Sequence, residues 1–338
     1  MRALLYPEFD VLRMAEVDDA PLLPDEVRLA VAACGICGSE LEAFSRRSPR
    51  RPPPLVMGHE YSGTIVEVGR AVRGWATGDE VVGNALVPCG RCRRCVRGDE
   101  HLCADRQIVG MHRPGAFAER VTVPARCLVH RPASLDADVA AMAEPAGNGV
   151  HVVNLTRRFP ADTAVVIGAG PIGLFCQQAL QVLRGARVVS VDLVAERRAI
   201  SKRLGAQRSV DPRGEDAVAY IRDWTDGEGA DVVVDAVGSA VTKRQSIDML
   251  RPGGVAVWIG LHESEMTFAS YGITLGERCV LGSYAAQKAE LEVALGLFAD
   301  GRIEATSWMK TFPLDDGVAA FHRMLAAEGD DVKGVLKP

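Results

Sequence analysis

Residues 164–173 read AVVIGAGPIG. A short apolar run of strand type meets a glycine turn, and the chain then winds into a helix. Ile172, Phe175, Cys176, Ala179, Leu180 and Leu183 share one helical face, and Gly185 stops the element. A GxGxxG string alone is a weak signal; between a strand and a helix it has a mechanism. Gly168 permits the tight turn, Gly170 lets backbone approach a pyrophosphate, and Gly173 allows close helix–strand packing. Pro171 and Ile172 open the helix, whose free N–H groups and positive dipole end face the phosphates. Asp192 follows Gly173 by 19 residues, at the end of a second strand over 187–191. A carboxylate there accepts bonds from ribose hydroxyls and repels a 2′-phosphate, which predicts NAD rather than NADP. Arg197 either stacks on or hydrogen-bonds the adenosine or is a solvated helix arginine, and Leu261 and Ser283 are further expected cofactor contacts.

Downstream of this turn the pattern repeats. A helix over 195–204 ends at Gly205, another carries Ala217, Ile221 and Trp224, and strands fall at 231–235, 255–259 and 278–281. Alternating elements of this kind predict a Rossmann-type, doubly wound parallel sheet, so the fold class is α/β. Upstream of about residue 150 the character differs. Val27, Leu29 and Val31 alternate, 64–68 and 80–82 are β-branched runs, and Gly58, Gly63, Gly69, Gly74, Gly78 and Pro88 punctuate them. That spacing predicts a compact β-rich body with long loops. The tail after residue 285 is read as one amphipathic helix and a short terminal strand. The expected division is a discontinuous catalytic domain, 1–148 with 285–338, around a nucleotide-binding domain, 149–284.

The 338 residues suffice for two domains with real cores. A net charge of -5 argues against a nucleic-acid partner, which would need a basic face. No run of about 18 apolar residues exists, so no membrane span is expected. The opening MRALLYPEFD has no apolar core and meets Glu8 and Asp10 early, which points to the cytoplasm. Nine cysteines are unevenly spread, and without a secretion signal clustered thiols are read as metal ligands. Cys89, Cys92, Cys95 and Cys103 bring four thiols within fifteen residues. Two-residue gaps aim sulfurs at one point, and four thiolates with no open position make a structural zinc site. Arg91, Arg93, Arg94 and Arg97 offset its charge.

Several further strings match a family. Cys37-Gly-Ser39, Gly58-His59-Glu60, the four-cysteine loop, Arg113-Pro-Gly-Ala-Phe117-Ala-Glu119 and the Gly168 turn follow one another in the order of the medium-chain zinc alcohol dehydrogenases. The resemblance covers essentially the whole chain and is nearest to the polyol branch, of the sorbitol and galactitol-1-phosphate dehydrogenase type. Residues 144–151, EPAGNGVH, also resemble threonine 3-dehydrogenase. The resemblance implies a GroES-like β-rich catalytic domain beside the Rossmann domain, and a homotetramer or homodimer. It implies a second, catalytic zinc held by Cys37 and His59, with Glu60 either a third ligand or moving in and out of the shell. Glu144 takes the place of a cysteine ligand, and Cys34 is packing. Ser39 stands where the family relays the hydroxyl proton.

Two departures stand out. Glu40 replaces the usual Asp that orients the zinc-bound imidazole, and Glu42 replaces a histidine that ends the relay in many relatives, leaving Glu42 or water as the exit. The stretch 46–54, RRSPRRPPP, is either an anion site for the substrate or a solvated loop. The expected function is reversible, NAD-linked oxidation of a secondary alcohol on a polyol, cyclitol or sugar alcohol, phosphorylated or not. The alternatives are a threonine-type amino-alcohol 3-dehydrogenase and, in another class, a non-catalytic zinc- and NAD-binding redox sensor.

Overall fold

The computed structural model describes residues 1–327 and 330–338. The chain forms two compact units, Met1–Glu144 with Ala286–Pro338, and Pro145–Ala285. The division falls inside the helix Ala143–Leu155. Residues 145–148 and Ala285, expected with the catalytic domain, therefore lie in the second unit.

The second unit holds a parallel six-stranded sheet. Its strands run in the order Arg208–Val210, Arg187–Val191, Thr163–Ile167, Ala230–Asp235, Leu250–Trp258, Cys279–Gly282. Successive side chains of one strand serve opposite cores. Val166, Val188, Val232 and Val234 pack in one apolar cluster, and Val165, Val189, Val191 and Val233 in another. A sheet covered on both faces explains the runs of valine without polar alternation. The helix Pro171–Arg184 ends as expected at Gly185, in the left-handed conformation.

Asp231 ties the starts of three neighbouring strands. Its carboxylate accepts from the Thr163 amide at 2.9 Å, the Thr163 hydroxyl at 3.0 Å and Arg251 Nε at 2.5 Å. Burial alone would raise its pKa, but Arg251 and Thr163 outweigh this and hold it below the ordinary carboxylate value. A depressed folded pKa contributes stability above the unfolded value of about 3.9, lost as pH falls through the folded value. Asp231→Ala is therefore expected to lower unfolding free energy by about 2–4 kcal/mol at pH 7. The gap should narrow as pH falls from neutral towards the acid range. Urea titrations of both proteins across that range check it, and a gap constant with pH would contradict it.

The first unit is built on a seven-stranded sheet of described residues. At its centre Glu26–Gly35 pairs antiparallel with Glu60–Val68 and with the late strand Lys333–Lys337. The tail is richer than expected. It holds two helices, Lys288–Ala299 and Gly317–Ala326, and two parallel strands, Met309–Pro313 and Lys333–Lys337. Apolar residues 4, 29, 65, 117, 321 and 336 share one core across its full sequence span. No helix among the described residues is long and apolar enough to cross a membrane.

Candidate active site

Sheet register assembles the site in the first unit. Gly35 lies opposite Glu60 on one side and Val335 on the other. Cys37 follows the first of these strands, His59 immediately precedes the second, and Lys333 opens the third. One donor atom each from Cys37, His59 and Glu60 lies within 4.8 Å of the others. Glu144 stands outside that trio, buried; its burial, which outweighs the pull of His59 and Lys333, pushes its carboxyl up to about 7. Cys34 points into the apolar core, and burial raises its thiol well above the ordinary value.

Gly35 is required by this packing. A Cβ there would meet Glu60 Oε2 at 2.1 Å and Lys333 Cε at 3.0 Å. Lys333, fully buried, donates to Glu60 Oε2 and to the Ile36 carbonyl at 2.9 Å. The lysine gives Glu60 a cationic partner of its own in the interior, where a lone carboxylate would be costly.

Glu40 is the hub of the site. Cys37 caps the helix Gly38–Ser45, and Glu40 Oε2 reaches back to accept from the Cys37 amide at 3.0 Å. Its Oε1 accepts from the Gly58 amide and contacts His59 Nδ1, both at 2.8 Å. A bond at Nδ1 fixes the ring and leaves Nε2 to the metal side. The longer acid thus reaches His59. Burial would raise the Glu40 pKa, yet His59 and Arg51 hold it down to about 2.

The second cluster is the four-cysteine loop. Cys92 Sγ lies 3.5 Å from Cys95 and 3.9 Å from Cys103, and Cys89 lies 3.9 Å from Cys95. A tetrahedron with Zn–S bonds of about 2.3 Å has sulfur–sulfur edges of about 3.8 Å, so the loop fits zinc. All four thiols are free. Backbone N–H groups pull the Cys89 and Cys92 thiols below the ordinary value, Arg91 leading at the first and Cys95 at the second. That favours the thiolate a metal needs at these two positions, whereas burial pushes the Cys95 thiol up to about 12.

In the second unit, Gly168 turns with φ +95°, and a Cβ on Gly173 would meet the Gly168 carbonyl at 1.8 Å. Gly170 differs: a Cβ there would touch nothing. The protein's own atoms do not demand glycine at 170, so the empty space is what a pyrophosphate against the Pro171 helix would use. Asp192 accepts from the Ala169 and Val194 amides, each at 2.7 Å, one at each carboxylate oxygen. Leu261, exposed, and Ser283, buried, follow the carboxyl ends of their strands, as Gly168 and Asp192 do. In sheets of this kind ligands bind along that edge. Arg197 lies in the helix Ala195–Arg203, and its Nε donates no hydrogen bond among the described residues.

Comparison with known proteins agrees. The family described as the alcohol dehydrogenase GroES-like domain matches residues 23–133, and zinc-binding dehydrogenase matches 171–300. A sorbitol dehydrogenase of Halalkalibacterium halodurans is 32% identical over 93% of this chain and 92% of its own. An L-threonine 3-dehydrogenase of Chelativorans sp. is 36% identical over 77% of each. The solved alcohol dehydrogenase of Thermus sp. ATN1 superposes with a TM-score of 0.93 at 28% identity, covering 100% of this chain and 99% of that one. Fold and donor clusters define a zinc-dependent, NAD-linked dehydrogenase. The chain belongs to the medium-chain zinc alcohol dehydrogenase family.

Three features were invisible in the sequence: Lys333, the inward turn of Arg51, and the steric need for Gly35. None has a local signal, because each depends on which strands or loops become neighbours.

Proposed function

We propose that the protein oxidises a secondary alcohol of a polyol, cyclitol or sugar alcohol to a ketone, reversibly, with NAD. The observation that carries this is a thiol, an imidazole and a carboxylate converging in a unit whose other metal cluster is closed by four sulfurs. Cys37, His59 and Glu60 would hold the catalytic zinc, with Glu144 as a further carboxylate. Zinc bound there supplies Lewis-acid polarisation of the substrate oxygen, and NAD on the Gly168 turn supplies the hydride acceptor. Glu40 holds the His59 ring in register, and Lys333 holds Glu60. Ser39, exposed and two residues from Cys37, takes the hydroxyl proton at its Oγ.

Free thiols throughout fit a reducing compartment such as the cytoplasm. The strand Cys279–Gly282 pairs on one side only, and nearby Tyr271 and Leu275 are exposed. That supports assembly into a dimer or tetramer.

The test is NADH formation on a panel of sorbitol, an inositol, a sugar-alcohol phosphate and L-threonine, each also run with NADP. Turnover of a neutral polyol with NAD is expected. A threonine-specific enzyme is the second reading, favoured by the 36% relative and the EPAGNGVH string. Preference for threonine would replace the polyol assignment, and preference for NADP would remove the role given to Asp192.

A further inference from the structure

The loop after the helix Gly38–Ser45 carries four arginines, and they part company. Arg46 pairs with Glu42 at 3.2 Å, Arg47 pairs with Asp10, and Arg50 is exposed. Arg51 turns inward until its side chain is 3% exposed. Its Nη2 donates to Ser39 Oγ at 3.2 Å, its Nη1 stands 3.7 Å from Glu40 Oε1, and Nη1 and Nε have no hydrogen-bond partner among the described residues. Burying a guanidinium with three of its five N–H groups unused costs stability, so its presence calls for another account.

The hydroxyl it touches gives one. Ser39 Oγ has one proton and two lone pairs. The proton points to Cys37 Sγ at 3.3 Å, and Arg51 occupies one lone pair. One lone pair is left.

We infer that Arg51 is a positioning residue: it fixes the Ser39 hydroxyl so that its single uncommitted lone pair meets the substrate hydroxyl. This rests on the proposed role of Ser39. As the substrate O–H bond breaks, its proton joins Oγ, and the proton Ser39 held turns from Cys37 Sγ to the exposed side and passes to solvent water, leaving the hydroxyl neutral. Arginine stays protonated and cannot receive it. Glu42 is paired with Arg46 at 3.2 Å, and the proposed exit is solvent water rather than this carboxylate.

A double-mutant cycle tests this with NAD and whichever panel alcohol is turned over. A positioned proton acceptor contributes about 10²–10⁴-fold, so Ser39→Ala should lose kcat on that order. Arg51→Ala should lose about 10–100-fold, the usual scale for a residue that orients another. The double variant should be no slower than Ser39→Ala, and guanidinium ion should restore Arg51→Ala but not the double variant. A second readout needs no turnover. In cobalt-loaded protein without substrate or NAD, difference spectra cancel the four-cysteine site. Both single variants should shift the Cys37 thiolate–cobalt band in the same direction, and the double variant no further.

Losses that multiply in full would overturn the inference, as would an unmoved cobalt band in Arg51→Ala. If alanine at 51 disturbs the fold, Arg51→Lys keeps the buried charge and should lie between wild type and Ser39→Ala; full activity there also overturns it. Ser39→Ala with undiminished kcat would remove the role of Ser39 and this inference together. A loss at Ser39 with none at Arg51 would remove only the inference. Glu42→Gln as slow as Ser39→Ala would refute the exit to solvent.

Discussion

His59→Ala is expected to yield a folded protein with about one zinc per chain instead of about two, and turnover reduced at least about 10³-fold. The imidazole is the one nitrogen donor of the trio, and its Nδ1 is already committed to Glu40 at 2.8 Å. Without it the metal would keep only the thiol and the carboxylate of the trio. Loss of an outer partner alone costs about 10–100-fold in metal affinity, and a direct ligand costs more. Lewis-acid polarisation is worth several kcal/mol, and about 4 kcal/mol corresponds to about 10³-fold in rate. Metal analysis and NADH absorbance check both halves. Retention of two zinc ions with undiminished turnover would remove the catalytic reading altogether.

Cys103→Ser should act on the other metal and on stability. Cys103 is fully buried, and its Sγ accepts from the Cys89 amide at 3.3 Å. The loop has little else to hold it: one four-residue helix, Arg93–Val96, and one short turn, Glu100–Leu102, with Val96 and Leu102 facing solvent. Structural zinc supplies about 10–16 kcal/mol of apparent binding free energy in small zinc-finger peptides. A loss of about 5 kcal/mol or more is therefore expected, with about one zinc per chain remaining. The loop should become a trypsin site, since Arg91, Arg93, Arg94 and Arg97 lie within it. A variant as stable and as trypsin-resistant as the parent would show that no ion braces this loop. The two substitutions should each remove a different zinc.

The nucleotide-binding unit was legible because its rules are local. Strands at 163–167 and 187–191 are valine runs buried on both faces, and the turn between strand and helix is set by three glycines. Less local elements escaped. The helix Ala240–Asp248 is mostly polar, and Ala143–Leu155 contains Pro145, Gly147 and Gly149, which read as breakers. The reason for Gly149 is spatial: a Cβ would meet the Phe175 carbonyl at 2.6 Å. The metal trio was legible through its family resemblance alone, since Cys37, His59 and Glu60 taken singly are ordinary residues. Lys333 stands 273 positions from the carboxylate it holds, and only the pairing of Lys333–Lys337 with Glu26–Gly35 brings it there.

That pairing has a consequence for biosynthesis. The strand bearing Lys333 is translated after all of Pro145–Ala285, so Cys37, His59 and Glu60 leave the ribosome long before the sheet that frames them can close. The nucleotide-binding unit can mature while the thiol and imidazole still wait for their neighbour. Completion of the sheet that frames the trio thus belongs to the end of translation, whereas the four-cysteine loop is complete within fifteen residues.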